Sequence, residues 1–266
     1  MKISRIVILP VLAVLWVLLN ASSCNEPDNP EPESGKIKFV FDHTVDGQPV
    51  EFDKMIYENE AGNPYLVNEI QYFVSDFRLW KDGNALLLDK WEDIHYVDTD
   101  LPETRSYSPA DDVPAGTFDS ITFVFGITKE KNQSFMFVNP PESFMFWPEY
   151  LGGGYHYMKL NGKWKDLQEV VRPFNFHMGI GQIYNDSDEI TGFVQNYFTV
   201  SLPNSNFVME AQKATLVTIT MNIEQWFKEP NLWDFNYWGG DIMENQEAMH
   251  TAKDNGHNVF TVKVED

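Results

Sequence analysis

His156 and His177 lie in the stretch richest in chemistry, residues 144–182, which holds two of the six histidines, two of the eight tryptophans and Gly152-Gly153-Gly154. An imidazole can ligate a metal or carry a proton near neutral pH. Phe174 to Ile180 reads as a strand after Pro173. Side chains alternate faces along a strand, so Phe174, Phe176, Met178 and Ile180 share one face and Asn175, His177 and Gly179 the other. A polar row opposite a solid apolar row marks His177 for something other than packing. Tyr155 to Leu160 reads as a second strand, with His156, Met158 and Leu160 on one face and Asn161-Gly162 as the following turn. Met158 and Met178 are close by in sequence. Thioether and imidazole together suit copper, above all Cu(I), although methionine more often fills a core.

His43 is the third candidate. It ends an alternating strand, Lys36 to His43, with Ile37, Phe39 and Phe41 on its face. Its neighbour Asp42 points to the opposite face, which disfavours an acid–base pair and with it an enzyme. His95 has an ordinary strand context, and His250 and His257 lie at a polar helix end. The chain has no G-x-S-x-G, P-loop, H-E-x-x-H or paired-cysteine pattern. Any histidine site must therefore be assembled by the fold. Asp98-Thr99-Asp100 and Asn185 to Glu189 carry oxygens that calcium could use, but neither has the full loop pattern. Both read as solvated loops.

Positioning these residues falls to many short strands separated by turns. Glu69 to Trp80, Phe118 to Ile127, Tyr197 to Leu202, Ala214 to Ile223 and Asn258 to Val264 all read as strands, and Asp82-Gly83 as a hairpin turn. Helical spacing is confined to Ile223–Phe227 and to residues 241–255, closed by Asn255-Gly256. The expected fold is mainly all-β: one antiparallel β-sandwich domain over residues 36–266, with a few short helices near the C-terminus. A net charge of −21 excludes nucleic acid as a partner, because phosphate binding needs a basic footprint. It suits attraction of cations.

Residues 1–23 have the shape of a secretory signal: basic Lys2 and Arg5, an apolar run from Ile6 to Leu19, then small residues. Cys24 is the only cysteine of the chain. Its place after Ala21-Ser22-Ser23 resembles a bacterial lipobox, where the thiol takes a diacylglycerol. Residues 24–35, acidic and proline-rich, read as a tether. The expectation is an exported protein, anchored through Cys24 to the cell-envelope membrane at the periplasmic or surface face of the outer membrane.

Several segments resemble the MbnP-like family of copper-binding periplasmic proteins, one branch of which accompanies methanobactin genes. They are Phe39-x-Phe41-x-His43-x-Val45-Asp46-Gly47, then Tyr57 to Tyr65 followed by Tyr72-Phe73-Val74-Ser75-Asp76. Next come Met145-Phe146-Trp147, Gly154 to Gly162, Phe176-His177-Met178-Gly179, and Asn245 to Phe260. The resemblance implies a β-sandwich-like fold and a copper-binding role without turnover. It carries over His177 through the histidine–glycine block, with His43 and His156 beside it. In the methanobactin branch the site also involves a tryptophan oxidised by a partner haem protein, for which Trp147 and Trp164 are available here. That branch has further cysteines, and this chain has none. The expected function is an envelope lipoprotein that holds copper for acquisition or storage. The alternative is a metal-free aromatic platform for a glycan or peptide, which requires Trp147, Trp164, Trp233 and Trp238 to line an open groove.

Overall fold

Ser34–Val45 (β1) alternates apolar and polar residues, and in the computed structural model its odd-numbered side chains from Ile37 to Val45 are buried. The structure describes residues 33–89 and 93–265. The signal segment, Cys24 and most of the tether lie outside the described residues. Ser34 and Gly35, expected in the tether, belong to β1 and pair with Val113–Pro114. At the other end Asp46 and Gly47 turn the chain with φ of 49° and 71°, so that Val45 meets Gln48. Two positive φ values are what a tight type I′ hairpin demands.

The spine of the second sheet is Pro64–Lys81 (β2), an 18-residue strand. Ile94–Asp98 (β3), Ser120–Phe125 (β4) and Met158–Lys165 (β5) all pair with it antiparallel. Val171–Met178 (β6) extends the sheet beyond β5, and Phe198–Leu202 (β7) beyond β4. The first sheet is completed by Ala214–Asn222 (β8) on β1 and Phe260–Glu265 (β9) on β8. The other pairs named here are antiparallel, as the expected sandwich requires, while the β1–β8 pair is parallel. Parallel neighbours need a long crossover, and here the whole second sheet is threaded between them.

Aromatic side chains join the two sheets. Phe39 lies against Phe77 with ring centres 4.4 Å apart, and Phe123 against Phe260 at 5.3 Å. Full burial of each such ring stabilises by roughly 1.5–3 kcal/mol. With a single cysteine the chain can form no internal disulfide, so this core carries the stability. The outer face of the second sheet is covered as well. Phe73 stacks on Phe137 at 5.3 Å, and Phe137 meets Tyr155 at 4.9 Å, both contributed by the long connection between β4 and β5.

The C-terminal helix spans Gln246–Gly256, shorter at its start than the spacing implied, because the Asn245 side chain caps the Ala248 N–H at 3.0 Å. Ile223–Phe227 is a 3-10 turn. No helix among the described residues is long and apolar enough to cross a membrane.

His43 is part of the inter-sheet core. It is 5 % exposed, its ring meets Tyr72 edge-on at 5.7 Å, and its Nε2 is buried without a hydrogen-bond partner. Burial, and then the nearby Arg105 charge, pull its pKa from 6.5 down to about 3. The folded protein thus keeps this ring neutral where the unfolded chain would protonate it. Its contribution is complete above pH 6.5 and is lost as pH falls through the window toward 3. Denaturant titrations of the His43→Leu variant between pH 4 and 6 should show a stability slope shallower than the parent's by about 1.4 kcal/mol per pH unit.

Candidate functional site

The register of β5 against β6 decides which side chains meet. Met158 sits opposite Met178, and Lys159 opposite His177. Across β2, Met158 is aligned with Tyr72, whose ring packs on Phe41 of β1. Met158, Met178 and Phe176 therefore face the inter-sheet core, while Lys159, Asn161 and His177 face away from it. Two expectations change as a result. The methionine sulfurs do not join His177, because the pleat puts them on the other face. His43 does not join it either, because His43 touches Tyr72 on the core side and the thickness of the second sheet lies between.

His156 does reach His177. It was expected to share a face with Met158, but β5 begins only at Met158 and the residues before it depart from strand alternation. Both the backbone N–H and the ring Nδ1 of His156 donate to the Met145 carbonyl, at 2.7 and 2.8 Å. These two hydrogen bonds to the connection fold His156 over the outer face. Its ring centre lies 5.2 Å from that of His177 and 4.6 Å from that of Trp147. Trp147 is fully buried and donates its indole N–H to the Leu151 carbonyl at 3.2 Å. It rests directly on Gly179, where any Cβ would come within 2.6 Å of the indole ring.

His177 is held from the opposite side. Its Nε2 lies 2.7 Å from Asn161 Oδ1, while Asn161 Nδ2 donates to Glu69 Oε2 at 3.1 Å. The carboxylate only accepts, which orients the amide with its oxygen toward the imidazole. Nε2 of His177 is then the protonated nitrogen, and Nδ1 carries the lone pair. That Nδ1 is buried and has no hydrogen-bond partner. By the same reasoning Nδ1 of His156 is protonated and Nε2 carries the lone pair. Burial, then the Lys159 charge, lowers the His177 pKa to about 4. Burial, followed by Lys159 and His177, holds His156 well below the ordinary range. Both rings are neutral at physiological pH, the state in which imidazole ligates a metal.

This donor set fits a shared metal ion. Two imidazoles bound at about 2 Å through one nitrogen each have ring centres roughly 5–6 Å apart. Each ring also donates its second N–H to a carbonyl oxygen, the arrangement that orients ligating histidines. Asn161 was missed because Asn161-Gly162 reads as a hairpin signal. The strand instead runs through it with a bulge, where a Cβ on Gly162 would meet the Leu66 carbonyl oxygen at 2.2 Å. The alternation of Lys159 and Asn161 with apolar Met158 and Leu160 was the signal available.

The remaining candidates have other roles. His95 stacks on Tyr107 at 4.9 Å with Nε2 2.7 Å from the Thr104 carbonyl oxygen. His257 packs on Phe198, and His250 is exposed beside Asp254. Asp42 pairs with Arg105 rather than with His43. Oxygens of Glu69, Asp98 and Asp100 lie within 4.8 Å of one another, yet both Asp98 oxygens already accept bonds, from Tyr96, Gln71 and the Asp100 N–H. The open aromatic groove does not form. Trp147, Trp164 and Trp233 are buried, and Trp238 is half-buried against Trp233. Trp164 stacks on Phe235 at 5.5 Å.

Comparison with known proteins gives two results. A family model described as MbnP matches residues 34–247. Among solved structures, MbnP from Methylosinus trichosporium aligns with a TM-score of 0.51 at 14 % identity, covering 87 % of this chain and 99 % of that one. Among curated proteins there is no match. The structural likeness concerns the fold.

The Gly179→Ala variant should displace Trp147 from the pair. A loss of about 1–3 kcal/mol by denaturant titration, typical of overpacking, with a shift in near-ultraviolet circular dichroism, is the expected outcome.

Proposed function

The chain belongs to the MbnP family, and from that premise we propose that it is a cell-envelope protein that binds a metal ion, copper above others, for acquisition or storage. His156 and His177 are the ligands in this reading, and His43 is not. The observation that carries it is the pair itself: two neutral imidazoles 5.2 Å apart, with the second nitrogen of each bonded to an oxygen. Copper suits imidazole, and its monovalent form tolerates low coordination by neutral donors. The protein binds rather than turns over, and it is exported and lipid-anchored through Cys24.

Trp147 supports the family reading as well. Of the two tryptophans considered from the sequence, it is the one in contact with a candidate ligand. A haem-containing envelope partner that oxidises a tryptophan would take Trp147 as its target.

Two measurements test this. The mature protein loaded with Cu(I) and dialysed should retain about one equivalent. His177→Ala and His156→Ala should each abolish retention, and His43→Leu should leave it intact. Unchanged retention in either alanine variant removes the assigned site. Replacing Asn161 with Leu should weaken binding by roughly 10–100-fold, the usual cost of losing the group that orients a ligating histidine. Competition with a chromophoric Cu(I) chelator would read it.

A further inference from the structure

We infer that Asn132 is a positioning residue for His156: through the Tyr155 N–H it fixes the backbone from which that ring reaches His177. The inference rests on the metal-binding reading above and adds what places one of the two ligands. The bonds of His156 itself do not suffice. Its N–H and its ring both go to the Met145 carbonyl, and the Trp147 N–H donates in return to the Gly154 carbonyl at 2.8 Å. Phe146 and Tyr155 thereby pair as an antiparallel bridge. Both arms of this small hairpin belong to the connection between β4 and β5, so bonds between them fix neither arm to the sheet. Packing of Trp147 on Gly179 seats the hairpin. Hydrogen bonds on its other edge set its position: the Tyr155 N–H donates to Asn132 Oδ1 at 2.9 Å and the Gly154 N–H to Ser134 Oγ at 2.8 Å.

The three consecutive glycines serve this contact. Gly152, Gly153 and Gly154 have φ of 122°, 69° and 77°, a run of backbone that side chains disfavour. A Cβ on Gly154 would come within 2.6 Å of Asn132 Oδ1, and one on Gly153 within 2.6 Å of Ser134 Oγ. Asn132 is itself held. It is buried, and its N–H and that of Lys131 donate to the Thr128 carbonyl at 2.9 and 3.0 Å. Lys131 Nζ pairs with Asp76 Oδ1 at 3.1 Å and with Asp93 Oδ2. Those carboxylates are 5 % and 3 % exposed. Asp76 sits at a bulge in β2 with φ of 54° and takes a further bond from Arg78 at 3.2 Å. Withdrawing Lys131 would leave buried carboxylate charge uncompensated. The turn that carries Asn132 is therefore pinned to β2 and to the start of β3, and Asn132 passes that fixity to the residue before His156.

The test reads the ring and the ion separately. In the metal-free mature protein, His156 Nδ1–H and His177 Nε2–H each donate to an oxygen and should give separate ring N–H signals in a proton–nitrogen correlation spectrum. In Asn132→Leu, which has a similar shape and no acceptor, the His156 signal should be lost to exchange with water while the His177 signal stays. Cu(I) affinity, read by competition with a chromophoric chelator, should fall by about tenfold or more. Asn132→Asp keeps the acceptor oxygen and should preserve both readouts. Near-ultraviolet circular dichroism checks the fold, and Ser134→Ala replaces Asn132→Leu if the latter is not native. An intact His156 signal, an unchanged Cu(I) affinity, or equal losses in Asn132→Asp and Asn132→Leu overturns the inference and leaves the metal site standing. Loss of both ring signals together, the mark of a merely structural role, overturns it too. A parent protein that shows both signals and binds no Cu(I) overturns the metal-binding reading, and the ring signals of the variants then decide the inference.

Discussion

The antiparallel register between β5 and β6 is the constraint on which the site depends. Because Met158 is opposite Met178, Lys159 must be opposite His177, and the pleat then places the two pairs on opposite faces. One face joins the inter-sheet core. The other is left for polar groups and must be closed by something else. A slip of one residue would bury Lys159 and His177 among phenylalanines and expose the methionines. The apolar requirement of the core therefore fixes the position of a polar site that takes no part in that core.

The cover over that second face is the connection between β4 and β5, and it is ordered by polar bonds as much as by packing. The Met145 carbonyl accepts twice from His156, and the Phe144 carbonyl accepts from Lys159. Tyr155 and Phe137 pack on Phe73, which anchors the same connection to β2. Trp147 fits only because Gly179 follows the β6 strand without a side chain. The positions of His156, Lys159 and Trp147 are thus three consequences of one loop folding on one strand pair. Changes in any one should be felt by the others.

Electrostatically the site differs from the molecule that carries it. The chain as a whole is strongly acidic, at −21, and draws cations toward its surface. Around the imidazoles, however, both rings are neutral, and the adjacent charged groups are the Lys159 ammonium and the Glu69 carboxylate.

The longer strands, the Asp82-Gly83 turn and the inward face of β1 were legible from sequence, since alternation and tight-turn chemistry are local properties. His177 was legible for the same reason: a polar residue alternating with Phe174, Phe176 and Met178 must face away from them. What local pattern could not supply was partnership. His43 and His177 look alike in one dimension, yet one lies between the sheets and the other outside them, and only the pairing of strands far apart in the chain separates them. His156 broke its apparent alternation because a carbonyl eleven residues earlier captured its ring and its N–H. Asn161 looked like a turn because the Leu66 backbone, whose close approach requires the glycine beside it, is nearly a hundred positions away. Periodicity along the chain determines which way a side chain points; which other side chain it then meets is decided by long-range register and loop closure, which no short window of residues contains.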